Sequence, residues 1–339
     1  MCAQRRQYGL SLIELMISLL LAALVLLGVV VLFQQSKSTA LEDEQVARMQ
    51  ENGRYALRVL SRELGMMNYF GGMIDVSADP LVLSTNKLTV GTDCNTDWMI
   101  GLATPLEFSD KDSTTDQVVA PSYTCITNGD IANGTDVVAI KRVGDLPLRV
   151  YDADPATAEA GGLTAGTAYF FTNGSVGALF TAADANDTCP TCSVSVPQFS
   201  SNIRQYVPEI FFIRPNSTGA DGIPSLVRET LAGSGMQAQL LVEGIEDMQI
   251  EWGVDGPDTD LAPDYYTSNP NGTALSRAVT ARVFLLVRSV APVTGYVNDK
   301  SYNLGSKAVA AKNDAFYRRV YSTTVQLRNS EMLQMSSAD

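Results

Sequence analysis

The sequence predicts an α+β protein in which one long N-terminal helix packs on a mainly antiparallel β-sheet domain, and three observations carry that prediction. No charged residue occurs from Leu15 to Phe33, and no proline from Leu10 to Tyr69. Beyond the apolar run, Val46, Met49, Gly53, Ala56, Leu57, Leu60 and Leu64 recur at steps of three and four, the period of an amphipathic helix. After residue 75 short β-branched or aromatic runs alternate with clusters of Gly, Asn, Asp, Ser and Pro, a pattern of strands and turns. The 339 residues suffice for one large domain or two small ones, and the composition is that of a globular chain.

The uncharged run spans roughly 28 Å as a helix, about one hydrocarbon core. It passes directly into Gln34, Gln35, Ser36 and Lys37, with no small-residue cleavage site at its end, so it reads as a retained anchor. Arg5 and Arg6 precede it and Glu42, Asp43 and Glu44 follow it. The positive-inside rule therefore leaves the N-terminus in the cytoplasm and exports the rest. Cys2 lies before the run rather than after it, which argues against lipoprotein processing.

Glu14 stands at the mouth of this run. A carboxylate at the centre of a membrane helix costs about 2.5–3.5 kcal/mol on insertion scales, so its presence calls for a partner. One reading is that Glu14 snorkels to the nearby interface. The other requires the chain to be cut after Gly9. Leu10 then carries a new amine four residues before Glu14, on the same helix face, and either group could pair with its counterpart on a neighbouring chain.

The amphipathic half interleaves Arg48, Glu51, Arg54, Arg58, Arg62 and Glu63 with its apolar stripe. Together the two halves read as one helix of about 55 residues. Gly28 and Gly53 each weaken it by about 1 kcal/mol relative to alanine, and Gly71-Gly72 ends the pattern. The clearest strands are 137–142, 168–172, 209–213, 239–242, 248–254, 280–288 and 320–328. Several alternate cleanly and fit an antiparallel sheet with one wet face. Residues 152–166 read as a long surface loop, and no internal repeat is present.

The charge balance is acidic, with 24 Lys and Arg against 37 Asp and Glu, and there is no histidine. Nucleic-acid binding would need a basic face, and none is seen. Without histidine, Ser-His-Asp, Cys-His and His-rich zinc chemistry are excluded. Asp255 to Asp264, DGPDTDLAPD, gathers aspartates, but its spacing fails the EF-hand loop, and a solvated acidic turn is preferred to a calcium site. Glu243, Glu246, Asp247 and Glu251 read as surface charges. No catalytic, cofactor-binding or metal-ligating set emerges, so the chain is not expected to be an enzyme or to hold a cofactor.

Of five cysteines, Cys2 stands apart, and Cys94, Cys125, Cys189 and Cys192 fall in the exported part. An even set in an oxidising space reads first as two disulfides. The preferred pairing is Cys94 with Cys125 and Cys189 with Cys192, the other two connectivities remaining open. Cys189-Pro-Thr-Cys192 lacks the strand-to-helix setting of a redox motif, and Ser193 stands where a haem-attachment motif needs histidine.

A short basic leader, Gly9 and then LSLIELMI at 10–17 resemble the class III signal of type IV prepilins. The resemblance implies that a prepilin peptidase cuts after Gly9, that Leu10 becomes N-methylated where the family commonly has Phe, and that Glu14 serves assembly. Four further segments resemble PilW-type minor pilins. These are QENGRYALRVLSRELGMMNYFGG at 50–72, GIPSLVRE at 222–229 with LVEGIEDMQIEWGVD at 241–255, ARVFLLVRS at 281–289, and YRRVYSTTVQLRN at 317–329. Residues from roughly 90 to 200 match little.

By this resemblance the chain divides into a leader at 1–9, a transmembrane and assembly helix at 10–33, its amphipathic continuation at 34–70, and an exported mainly-β domain at 71–339, with a type IV pilin-like fold. The implied role is a minor pilin in a tip complex that starts and supports a type IV pilus. The implied partners are other minor pilins, the major pilin, the prepilin peptidase, the assembly platform and a tip adhesin. The implied location is the bacterial inner membrane and then the pilus surface. A type II secretion pseudopilin is the runner-up. An anchored exported binding protein or enzyme is the alternative from another class.

Overall fold

The computed structural model describes residues 11–73, 94, 98, 101–102, 104–110, 123–126, 128–151, 164, 167–172, 177–181, 201–232, 235–257 and 260–329. The chain divides into two units, Met1–Arg48 and Met49–Asp339. Helix α1 covers Leu12–Met66.

In the first unit α1 is apolar all round from Leu15 to Phe33, and its large side chains there are all exposed. An 18-residue window of this helix reaches a mean hydropathy of 3.1, with none of it buried within the chain.

In the second unit α1 continues from Met49 and ends at Met66, rather than at about 70 as the pattern suggests. The stop is local. Asn68 adopts φ +62°, with Gly71 at +69° and Gly72 at +104°, left-handed conformations that favour Asn and Gly and that terminate helices.

The strands are β1 Leu106–Ser109, β2 Val137–Val143, β3 Arg149–Tyr151, β4 Ala168–Thr172, β5 Gly177–Thr181, β6 Ser201–Arg214, β7 Ser225–Ala232, β8 Gly235–Glu243, β9 Ile245–Val254, β10 Tyr265–Thr267, β11 Ala278–Arg288, β12 Tyr302–Leu304, β13 Lys307–Val309 and β14 Arg318–Gln326. A short helix, α2, covers Gly272–Ser276, where Asn271 Oδ1 accepts the Ala274 N–H at 2.8 Å. The first sheet runs β1-β2-β6-β4-β5, with β3 also on β6 and β7 bridging β6 to β8. The long strand β6 joins it, pairing with β3 and β4 through its first half and with β2 and β7 through its second. The second sheet runs β10-β9-β11-β14, and β12 and β13 form a separate hairpin. Every pair named is antiparallel.

The chain passes from the first sheet to the second at Gly244, between β8 and β9. Its φ is +81°, and a Cβ there would lie 2.7 Å from the Arg288 carbonyl oxygen, so only glycine fits without displacing backbone.

Two apolar layers flank β2 and β6. Val138, Ile140, Phe211 and Ile213 face one core with Ala56, Leu60 and Leu64 of α1 and with Ile250, Trp252, Val283 and Leu285 of the second sheet. Val137, Ala139, Ile210 and Phe212 face the other, with Cys94, Trp98 and Tyr123. Alternate residues therefore meet opposite cores, which is why β2 is buried along its whole length. Asp136 ties the two sheets, since its N–H donates to Met248 O at 3.0 Å and its Oδ2 accepts from Ile250 N at 2.7 Å.

Candidate assembly site

Glu14 lies in the first turn of α1 and is exposed. It is the sole charge between Leu10 and Ser36. Its backbone oxygen accepts the Ser18 hydroxyl at 2.7 Å, which leaves the carboxylate available, and among the described residues it makes no ion pair. A carboxylate in a first turn is favoured by the helix dipole. The wall of Leu, Val and Ile behind it offers no hydrogen-bond partner, and so large an exposed apolar surface marks a membrane or partner-binding segment. Gly9 and Leu10, the expected cleavage and methylation positions, lie outside the described residues.

In the second unit small residues bring α1 close to the sheet. An alanine Cβ at Gly53 would stand 2.9 Å from the Tyr321 ring, and one at Gly65 would stand 3.8 Å from the Val325 side chain. Asn52 Nδ2 donates to Glu243 O at 3.0 Å. At the helix end Asn329 Nδ2 donates to Met67 O at 2.9 Å, and the Asn68 N–H donates to Lys141 O at 3.1 Å.

The strongest polar tie is one that sequence reasoning misses. Glu63, expected among solvent-facing charges, is buried instead. Arg142 of β2 donates through Nε to Glu63 Oε2 at 2.6 Å, and its Nη2 also contacts that oxygen. The same Nη2 lies 3.8 Å from Glu209 Oε2 on β6. Glu209 is 1% exposed and its other oxygen accepts from Arg228 Nη1 at 2.7 Å. Burial, and after it the Glu63 carboxylate, push the Glu209 pKa up to about 7 against the pull of Arg142 and Arg228. One signal for this cluster exists in the sequence. Glu63 falls within the three-and-four stripe beside Leu60 and Leu64, on the face that the helix buries.

Two further corrections concern charges expected at the surface. Asp247 is buried and pairs with Lys307 Nζ at 2.7 Å, burial raising its pKa despite the lysine. Glu246 holds Arg318, whose Nε lies 2.5 Å from Oε2, while Asp314 takes Nη1 at 2.5 Å.

Cys94 and Cys125 form a disulfide across 31 positions of sequence, beside a Trp98–Tyr123 edge-to-face pair with centroids 5.4 Å apart. Lys141 lies under that layer, donating to Gly101 O at 2.8 Å and Thr104 O at 2.9 Å. Burial lowers its pKa to about 8 against the pull of Glu107. Cys189, Cys192 and nearly all of the loop 152–166 lie outside the described residues. Among the described residues no group of three acidic or cysteine side chains stands at metal-binding spacing.

Known proteins match this arrangement at both ends of the chain. The family described as Type IV Pilus-assembly protein W matches residues 210–329, from mid-β6 past β14, and the Prokaryotic N-terminal methylation motif matches residues 4–30. A search of curated proteins finds no match. Among solved structures, a type IV-like pilin from Thermus thermophilus is similar at a TM-score of 0.38 and 12% identity, over 84% of this chain and 97% of that one. A similarity that loose supports no functional conclusion.

Proposed function

We propose that the chain is a type IV prepilin of the PilW type, as the matches at 210–329 and 4–30 support, a membrane-anchored pilin that is cut after Gly9, methylated on Leu10, and drawn into a minor-pilin complex that starts and caps a pilus. The supporting observation is an exposed apolar helix that carries a single carboxylate, Glu14, in its first turn.

An apolar helix leaves the bilayer at tolerable cost only if its surface is covered again by other helices. Packing of that kind is permissive about register. One carboxylate in an otherwise apolar wall is not, because it is satisfied only where a positive group faces it. The N-terminal amine exposed by cleavage, on this chain or a neighbour, supplies such a group. Glu14 thus sets the axial position at which helices stop sliding.

In this reading the N-terminus begins in the cytoplasm and the β domain is exported, where two disulfides, Cys94–Cys125 and Cys189–Cys192, form. The partners are other minor pilins, the major pilin, the assembly platform and a tip adhesin, with prepilin peptidase acting first. The docked half of α1, locked by Glu63 and Arg142, holds the β domain on its helix. The test replaces Glu14 with Ala and measures pulldown of the other minor pilins together with pilus number. Loss of both is expected with the anchor still in the membrane, whereas unchanged incorporation and piliation overturns the register role.

A further inference from the structure

The outer edge of the second sheet is used by neither anchoring nor helix docking. β14 is nine residues long and stands last in that sheet. Its ladder with β11 continues at both ends, where the Ser289 N–H donates to Tyr317 O and the Leu327 N–H donates to Val279 O. Bonding alternates along an antiparallel pair, so the odd-numbered residues of β14 bond to β11 and the even-numbered ones direct N–H and C=O outward. At one end Tyr302 Oη donates to Arg318 O at 3.4 Å. Among the described residues no partner reaches the outward groups of Val320, Ser322 and Thr324, and Ser322 and Thr324 are exposed.

The charge beside this edge is of one sign. No acidic residue occurs between Asp314 and Glu331. Arg319 lies over the Tyr321 ring at 5.5 Å, on the face where Tyr321 meets Gly53 of α1. Asn52 and Glu63 turn one side of α1 to the first sheet. At about 100° per residue, Arg54 and Arg58 lie about 200–240° round from Asn52, on the far side. Burial raises the Tyr321 pKa while Arg319 and Arg54 oppose the rise, so both guanidinium groups act on that ring. Arg54, Arg58 and Arg319 are exposed and join no ion pair among the described residues, in a chain of net charge -13.

An open strand edge is a template for a further strand. A second copy is disfavoured there, because pairing β14 with itself sets the arginines of one copy against those of the other. The same charges favour an acidic strand. We propose that the β14 edge takes an added strand from another subunit of the pilus complex, with acidic side chains at alternate positions that meet Arg54, Arg58 and Arg319. Backbone bonds to Val320, Ser322 and Thr324 attach the strand, and its acids set partner and register. That the donor is a pilus subunit rests on the function proposed above, whereas the chemistry of the edge does not.

The test uses the full-length chain in detergent and a short fluorescein-labelled peptide that alternates Glu with Val, read by fluorescence anisotropy. The peptide binds saturably and more weakly as salt rises, and its Lys-for-Glu counterpart does not bind. Ser322→Pro removes an outward N–H and leaves the bonds to β11, a position at which an edge strand accepts proline, so binding is lost while the cooperative melt is kept. Arg54→Glu with Arg319→Glu leaves every backbone bond in place, lowers affinity for the Glu peptide about tenfold, and lets the Lys peptide bind. A Glu peptide that does not bind overturns the proposal. So does binding that survives Ser322→Pro, and so does equal binding of the Lys peptide. A dimer of the chain that Ser322→Pro dissolves also overturns it, since the edge then belongs to a second copy. Cleavage at Gly9 tests the pilin reading separately, so a silent peptide on a correctly cut chain overturns the edge and leaves that reading standing.

Discussion

Replacing Arg142 with Met tests what locks the helix to the sheet. The substitution keeps apolar bulk and removes the cation that, among the described residues, contacts both Glu63 and Glu209. Glu209 keeps Arg228 at 2.7 Å, but among the described residues Glu63 has no second cation. A buried pair broken from one side costs about 3–5 kcal/mol, because an uncompensated charge stays behind. The pH dependence has a definite sign. The folded-state pKa of Glu209 is raised from 4.5 to about 7, so between those values the folded state holds a proton that the unfolded state has released. Its contribution to stability is therefore fully present below about pH 4.5 and is lost as pH rises through 7. Without Arg142 the Glu209 carboxyl binds its proton more tightly still, so the deficit is largest near pH 8 and smaller near pH 5. Urea unfolding of the detergent-solubilised chain, followed by the fluorescence of Trp98 and Trp252, measures this. A loss under about 1 kcal/mol at pH 8, well short of the 3–5 expected for a broken buried pair, or a deficit equal or larger at pH 5, refutes the lock.

Other substitutions probe the same domain. Glu209→Gln removes the titrating group while leaving its shape, so stability should become flatter between pH 4.5 and 7, and an unchanged pH profile contradicts the assignment. Gly53→Ala sets a helix-propensity gain of about 1 kcal/mol against a Cβ 2.9 Å from the Tyr321 ring. Overpacking of about 1–3 kcal/mol wins, so the melting temperature should fall, and a rise shows that the ring moves aside freely. Cys94→Ser with Cys125→Ser removes a cross-link across 31 positions, worth about 3–4 kcal/mol by loop entropy. Without reductant the double variant should melt well below the unsubstituted chain, and an unchanged melting temperature contradicts that contribution.

The helix is legible because its two signals are independent. An uncharged stretch needs no packing partner to be recognised, and Ala56, Leu60 and Leu64 keep a helical period across the part that docks. Strand β2, expected at 137–142, and β4, expected at 168–172, stand out because both are dense in apolar residues. β14 ends at Gln326 and not at 328, since the apolar alternation continues into Leu327 after the ladder has stopped. Strands β1, β3, β10, β12 and β13 have only three or four residues, too few for a period of two to emerge. β7 is recognisable as a segment resembling the family and not as a strand, because Arg228 and Glu229 break its apolar run.

The polar lock is illegible for a different reason. Residue type alone sends Glu63, Arg142, Glu209 and Asp247 to the surface, and only the pairing of a helix with strands distant in sequence shows that each charge is met. Sequence can flag such a residue when it falls on an apolar stripe, as Glu63 does, but it cannot name the partner 79 positions away. Glu14 is the converse case. Its anomaly is entirely local, one acid in an apolar helix, and it is visible before any fold is known.

Processing at Gly9 is the central requirement, since the paired amine does not exist in the uncut chain. Mass spectrometry of the N-terminal peptide from the membrane-extracted protein tests this most directly. The expected product begins at Leu10 and carries one methyl group on its amine, with Glu14 four residues inside. A chain retaining Met1, or one cut at any other bond, contradicts the proposed role of Glu14.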